Sequence, residues 1–228
     1  MPIIELHSHT IVSEDCLMRP ADIVRTCRAR GIDRLAVTDH NRVRGALAVQ
    51  ALAPNLVIVS EEIMTTQGEL LGYFLTEEIP AGLSPAETIT RLRAQGAAIS
   101  VSHPFDRLRK GAWREADLSA ILPLVDAIEV FNARCMYAED NARALAFAQA
   151  HGKLGTVGSD AHSHRELGRA VLDLAAAGSA AELVAGLATA RPRTRLSSPA
   201  IHLTSRFAKT WKQLARLAGR GAPKEPSA

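Results

Sequence analysis

The chain has 228 residues, 47% hydrophobic and 22% charged, with a formal net charge of +3 and a sequence pI near 9.0. This length and balance suit one domain with a full core, or two small ones, and exclude a largely disordered chain. No apolar run reaches the roughly 18 residues that a bilayer span requires, the start of the chain lacks a signal-peptide pattern, and Cys16, Cys27 and Cys135 form no CxxC pair, so the expected home is the reducing cytoplasm.

In chain order, residues 2–6 read as a strand and 20–30 as a helix closed by Gly31. Strands are expected at 32–38 and 56–59, and another at 69–75, paired antiparallel with 63–66 across Gln67-Gly68. Residues 85–94 form a helix pattern behind Ser84, with Glu87 three residues later, the signature of a capping box. Strands follow at 97–101, 127–131 and 154–157, with a helix at 137–151 between the last two. A strand at 170–174 and a helix at 180–190 complete the series. Strands alternating with helices in this way predict an α/β fold with a largely parallel sheet. Six or seven such units in about 190 residues fit a closed, TIM-like barrel better than a doubly wound sheet. No GxGxxG or GxxxxGK[ST] follows any strand, which weakens nucleotide-fold alternatives.

Of the eight histidines, five lie at or just past predicted strand ends. His7 and His9 are separated by one residue, and alternate residues of an extended segment point to one side. His40 follows the second strand, Glu61-Glu62 the third, His103 a later one, and Asp160-Ala161-His162 another. In a parallel barrel these strand ends form one rim. Each group alone has an ordinary structural reading: a turn cap, a solvated pair, a helix N-cap. Converging on one rim, they would be costly to desolvate without a compensating cation, so metal binding is expected.

The motifs Glu5-Leu6-His7-Ser8-His9-Thr10, Val37-Thr38-Asp39-His40-Asn41, Glu61-Glu62-Ile63, Val101-Ser102-His103-Pro104-Phe105, Glu129-Val130-Phe131-Asn132-Ala133-Arg134 and Gly158-Ser159-Asp160-Ala161-His162-Ser163 stand in that order. Together they resemble the PHP (polymerase and histidinol phosphatase) family of metal-dependent phosphoesterases over about residues 3–175. The resemblance implies a distorted seven-stranded barrel holding two or three divalent ions. It assigns His7, His9 and Asp160 to one ion, bridged by Glu62 to a second held by His103. Asp15, His40 and His162 fall to a third position. Glu62 fits the bridging slot better than Glu61, because Ile63 follows it directly. Asn132 stands where several members carry a ligand histidine, so the second ion would be looser, or completed by water or Cys135. Mixed imidazole and carboxylate ligands suit Zn, Mn or Fe. The implied chemistry is hydrolysis of a phosphate ester by a metal-bridging hydroxide, with Glu62 and Asp160 at the reacting centre and Asp39 orienting the ring of His40. For a small phosphorylated substrate, Arg134, Arg42 and Arg107 are the candidate phosphate contacts, with Arg44 and Arg109 beside them. An exonuclease-like phosphodiesterase and a non-catalytic metal-binding module are the rival readings.

The net charge hides an asymmetry. Residues 1–190 carry 18 basic and 23 acidic side chains, whereas residues 191–228 carry nine basic ones and only Glu225. We expect residues 1–190 to form the catalytic domain and 191–228 a basic extension, with an amphipathic helix over about 205–219 and a disordered end. On that helix Phe207, Trp211, Leu214 and Ala218 share one stripe, with Lys209, Lys212, Arg216 and Arg220 roughly opposite. The stripe either docks on the barrel, leaving the charges in water, or the helix meets nucleic acid or an anionic membrane surface.

Overall fold

The computed structural model describes residues 1–218. The elements in order are β1 (Ile3–Glu5), α1 (Pro20–Arg30), β2 (Arg34–Val37), α2 (Arg44–Leu52), β3 (Val57–Met64), β4 (Glu69–Tyr73), α3 (Pro85–Ala94), β5 (Ala98–Val101), α4 (Glu115–Ile121), β6 (Ala127–Asn132), α5 (Ala138–Ala150), β7 (Leu154–Gly158), β8 (Ala170–Asp173), α6 (Ala180–Leu187), β9 (Arg191–Thr194) and α7 (Ile201–Leu217). Helix ends follow local chemistry. Pro20 opens α1, and Gly31, at φ 64°, closes it by turning its N–H back to the carbonyls of Cys27 and Arg28. Ser84 caps α3 by accepting the Glu87 N–H at 3.2 Å.

The strands form one sheet in the order β7-β6-β5-β4-β3-β2-β1-β8-β9, curled into a nearly closed, TIM-like barrel. The α/β barrel is thus as expected, and among the described residues its sheet carries nine strands, β4, β8 and β9 running antiparallel to their neighbours. β1, β2 and β3 are mutually parallel, as are β5, β6 and β7. β4 runs against both β3 and β5, pairing Glu62 with Leu71 and Leu70 with Val101. β8 is antiparallel to β1, and β9 to β8.

Period-two alternation divides the apolar side chains between two layers. Ile4, Leu6, Ala36, Ile58, Leu71, Tyr73, Val157 and Leu172 pack together, with Leu183 and Leu187 of α6. Leu35, Val37, Val57, Val59, Ile99 and Ile128 pack instead with Ile23, Val49, Leu92 and Phe147 of the outer helices. Among the described residues, no helix is long and apolar enough to cross a membrane.

The extension departs from expectation in two ways. Residues 191–194 form β9, an exposed edge strand of the barrel sheet, so the sheet continues past residue 190. Pro192 is tolerated there because an edge strand needs only one side of its ladder. Helix α7 docks with its polar side inward. Ser205, Ala208 and Lys212 are buried, whereas Leu203, Phe207, Trp211, Leu214 and Leu217 are exposed, Phe207 by 63%. Polar contacts to the rim loop accompany the inversion. Lys212 Nζ donates to the carbonyls of Ile11 and Ser13, both at 2.5 Å, and Ser205 Oγ accepts from Arg134 at 2.8 Å. Residue 219, the outer Arg220 and the expected disordered end lie outside the described residues.

Candidate metal centre

The rim collects its side chains from the ends of separate strands. His7 and His9 follow β1, and His40 follows β2, where it bridges to Glu62 of β3. His103 follows β5, Asn132 ends β6, and Asp160 and His162 follow β7. Strand alternation aims Glu62 at the histidines. Its neighbour Glu61 turns away, and its Oε2 accepts the Ile79 N–H at 2.9 Å.

Glu62 lies at the middle of the cluster. Its Oε1 is 3.0 Å from His103 Nε2 and 3.4 Å from His7 Nε2, and its Oε2 is 2.9 Å from His40 Nδ1 and 3.5 Å from His9 Nε2. Asp160 Oδ1 is 3.1 Å from His9 Nε2, 3.6 Å from His7 Nε2 and 3.4 Å from His162 Nδ1. Asp15 Oδ1 is 3.1 Å from His162 Nε2 and 3.7 Å from His40 Nε2. Two residues here carry strained backbone: Asp160 has φ 51° and His103 φ 21°. Such conformations cost roughly 1–3 kcal/mol each and cluster where a side chain must be aimed.

Hydrogen bonds outside the cluster orient the imidazoles. His7 Nδ1 donates to Glu129 Oε1 at 2.9 Å. Ser13 gives its hydroxyl proton to Asp39 Oδ1 at 2.6 Å, so its oxygen accepts from His9 Nδ1 at 3.1 Å. His162 Nδ1 donates to the Asp160 carbonyl at 2.8 Å. In all three rings Nδ1 carries a proton, and Nε2 is the nitrogen that faces the cluster.

The crowding of acids and imidazoles sets the electrostatics of the cluster. Burial alone would raise Glu62, but the neighbouring His7, His40 and His103 hold its carboxyl well below the usual range. Burial opposes charge on His7 too, yet Glu62, Asp160 and Glu129 hold its pKa well above normal. His9 is pushed well down by burial and by the neighbouring His162 and His40.

These residues fit divalent ions. His7 Nε2, His9 Nε2, Asp15 Oδ1, Glu62 Oε2, Asp160 Oδ1 and His162 Nε2 are buried atoms without a hydrogen-bond partner. Buried polar atoms rarely stay unpaired, and here they face one another. Three-residue groups with ligand atoms within 4.8 Å of one another are His7–His9–Asp160, His7–Glu62–His103, His9–His40–His162 and His40–Glu62–Glu69. The first three overlap the ion positions that the resemblance implied, with one histidine shared between neighbours.

Several expectations are corrected. Asn132 does not offer its oxygen to the cluster: Oδ1 accepts the Arg134 N–H at 2.9 Å, and Nδ2 donates to Glu129 at 3.1 Å and Asp160 at 3.3 Å. Its amide tethers two carboxylates instead. Cys135 is buried beside Asp106, and burial raises its thiol well above the ordinary value. Asp39 does not touch the ring of His40. It accepts from Thr10 and Ser13 and reaches the cluster through Ser13, which also receives the His40 N–H. Arg42 pairs with Glu78 at 3.2 Å, and Arg107 with Asp140 at 2.6 Å beneath Tyr137, both away from the cluster.

Arg134 does lie at the rim, near Asp160 O at 3.4 Å and Glu166 at 3.6 Å. Arg109 reaches further in and forms an ion pair with Asp160. Three carboxylates escaped the sequence reading. Glu129 supports His7, and its Oε2 accepts the His103 N–H at 2.8 Å; a lone acid inside an apolar strand was the available signal. Glu69, 3.5 Å from His103, begins a strand that runs the other way, which puts its start on the rim. Glu166 accepts the His162 N–H at 3.2 Å.

A barrel with a histidine–carboxylate centre at its C-terminal rim defines a class of metal-binding α/β proteins. Residues 5–68 match the PHP domain family, and residues 138–192 the PHP-associated family. The chain is 38% identical over 173 residues to the uncharacterized protein MJ0417 of Methanocaldococcus jannaschii, covering 74% of this chain and 69% of that one. It therefore belongs to the PHP family. Solved structures of similar fold include a Bacteroides vulgatus "two-domain protein containing predicted PHP-like metal-dependent phosphoesterase", with TM-score 0.66 and 17% identity over 85% of this chain and 65% of that one. Another is PsfC from Pseudomonas syringae, with TM-score 0.65 and 18% identity over 92% and 98%.

Proposed function

We propose that this protein is a metal-dependent phosphoesterase acting on a small phosphomonoester or nucleotide. The observation that carries the reading is the convergence of six buried, unpartnered nitrogen and oxygen atoms from His7, His9, Asp15, Glu62, Asp160 and His162. Two or three divalent ions held there (Zn, Mn or Fe suit these donors) would supply Lewis acidity and lower the pKa of water at a phosphorus centre.

The chain's own residues do the positioning. Glu129, Ser13 and the Asp160 carbonyl orient three imidazoles through Nδ1. Asp39 keeps Ser13 oriented through its hydroxyl. Arg109 and Arg134 flank Asp160 on the open side, where planar guanidinium forks can bind phosphoryl oxygens. Both line a cavity of about 450 Å³, together with Asp15, His162, His202 and Arg206. That volume suits a mononucleotide or sugar phosphate and is too small for a duplex. Leu108, Met136 and Pro199 add apolar wall for the organic part of the ester.

The test is a panel of phosphomonoesters, nucleotides, cyclic phosphates and short oligonucleotides, assayed with each metal. Preferred turnover of a small monoester supports the reading. Preferred release of nucleotides from an oligonucleotide end would replace it with an exonuclease-like phosphodiesterase. A metal-loaded protein with no turnover on any member would leave a non-catalytic module.

A further inference from the structure

A second cavity, of about 460 Å³, opens on the outer face of the barrel between the end of α1 and strands β8 and β9. It shares no lining residue with the metal centre. Five arginines border it: Arg30, Arg165, Arg169, Arg193 and Arg195. Strand geometry explains the concentration. Arg193 stands opposite Val171 across the antiparallel ladder, and the Arg195 N–H reaches the Arg169 carbonyl at 2.8 Å. Cross-strand partners point to one face, so the edge strand delivers alternate arginines to the same side as Val171.

The compensating acids near it are already engaged. Asp173 pairs with Arg193 at 2.8 Å, and Asp33 accepts the Ile3 N–H at 2.7 Å. Arg30 donates to the Leu167 carbonyl. Among the described residues, no carboxylate forms an ion pair with Arg165, Arg169 or Arg195. Like charges held together without counter-charge are unfavourable, and a bound anion relieves them. Ile3, Ile32, Leu167 and Val171 give the same cavity an apolar floor.

We infer that this cavity is an anion-binding site for a small molecule joining an apolar ring to two or more phosphates, such as a nucleoside diphosphate. The guanidinium groups take the phosphates and the apolar floor takes the base. The volume lies in the range of small-molecule sites. Binding here is independent of the chemistry at the metal centre. The loop between β7 and β8 nevertheless serves both places, since Arg165, Leu167 and Arg169 border the cavity while Glu166 holds the His162 N–H.

The test is calorimetric titration of the full metal-loaded chain with a non-hydrolysable methylene analogue of a nucleoside diphosphate. The same nucleoside and inorganic phosphate serve as separate probes. The Arg165→Gln/Arg195→Gln double variant should weaken analogue binding at least tenfold, with an unchanged melting temperature and unchanged phosphoesterase rate. Arg165→Lys/Arg195→Lys should recover part of the affinity. Asp160→Asn, which disables the metal centre, should leave one binding event intact. Unaltered affinity in the double Gln variant would overturn the site, as would loss of all binding in Asp160→Asn. Inorganic phosphate binding as tightly as the analogue would overturn the nucleoside assignment.

Discussion

Glu129 Oε1 lies 2.9 Å from His7 Nδ1, linking the middle of β6 to the ligand that follows β1. The same carboxylate receives the His103 N–H at 2.8 Å and an Asn132 amide proton at 3.1 Å. One side chain thus orients two candidate ligands. Glu129→Gln keeps the shape and removes the charge that favours the Nδ1–H tautomer. It should lower metal affinity by about 10- to 100-fold, read by competition with a chelating dye. An unchanged affinity would show that His7 is oriented by packing alone.

Gly158 makes the close approach of β7 to His7 possible. A Cβ at this position would run into His7 Cβ and Glu129 Oε1. Gly158→Ala should therefore cost about 1–3 kcal/mol of stability through overpacking and should also reduce bound metal. Thermal melts and elemental analysis check the two effects. A variant that melts normally with full metal content would contradict the proposed crowding.

Glu61 supplies a pH prediction. Burial pushes its carboxyl up to about 8, against the Ile79 hydrogen bond, with Glu78 adding to the rise. The folded state then binds the proton more tightly than the unfolded state, so this group's contribution is fully present below the ordinary carboxylate pKa near 4.5. It is lost as pH rises from there through about 8. Glu61→Gln keeps an acceptor for the Ile79 N–H and removes the titration. The variant should gain roughly 1–3 kcal/mol over the parent near pH 9 and little at pH 5, measured by urea unfolding at both values. An equal difference at both values would remove Glu61 as the cause.

Lys212 anchors α7 to the rim loop that carries Ser13. Lys212→Ala removes the ammonium that the Ile11 and Ser13 carbonyls share, leaving Ser13 only the Cys16 N–H at 3.2 Å, a loss of about 1–3 kcal/mol for buried polar groups. Limited proteolysis should show earlier cleavage near α7. Phe207→Ser and Trp211→Ser, on the exposed stripe, should stay within about 0.5 kcal/mol of the parent. A large loss from these two, with Lys212→Ala neutral, would mean that the helix docks by its apolar side.

The strand-end histidines were legible because each follows an apolar run that can only be a barrel strand, and alternation separates Glu62 from Glu61. The role of Glu129 is not legible locally, since nothing in its own strand says that the acid reaches across to β1. Glu69 was hidden by the reversed direction of β4. β9 is not legible because Arg-Pro-Arg-Thr lacks the composition of a strand and is held by its ladder with β8 and by the Arg193–Asp173 pair. The orientation of α7 was misread for a related reason. Amphipathicity locates the apolar stripe, but the docked face is the one that meets the rim carbonyls, and they are visible only once the loop at Ile11–Ser13 is folded.

The central claim, that the rim cluster is a metal-dependent phosphoesterase centre, is tested most directly by one add-back measurement. The hydrolysis rate of a small phosphate ester is followed on the intact chain, after chelation, and after return of Zn, Mn or Fe. The account predicts loss of activity on chelation, recovery with at least one of these ions, and no recovery in Asp160→Ala. Full activity in chelated protein, or full recovery in Asp160→Ala, would contradict it.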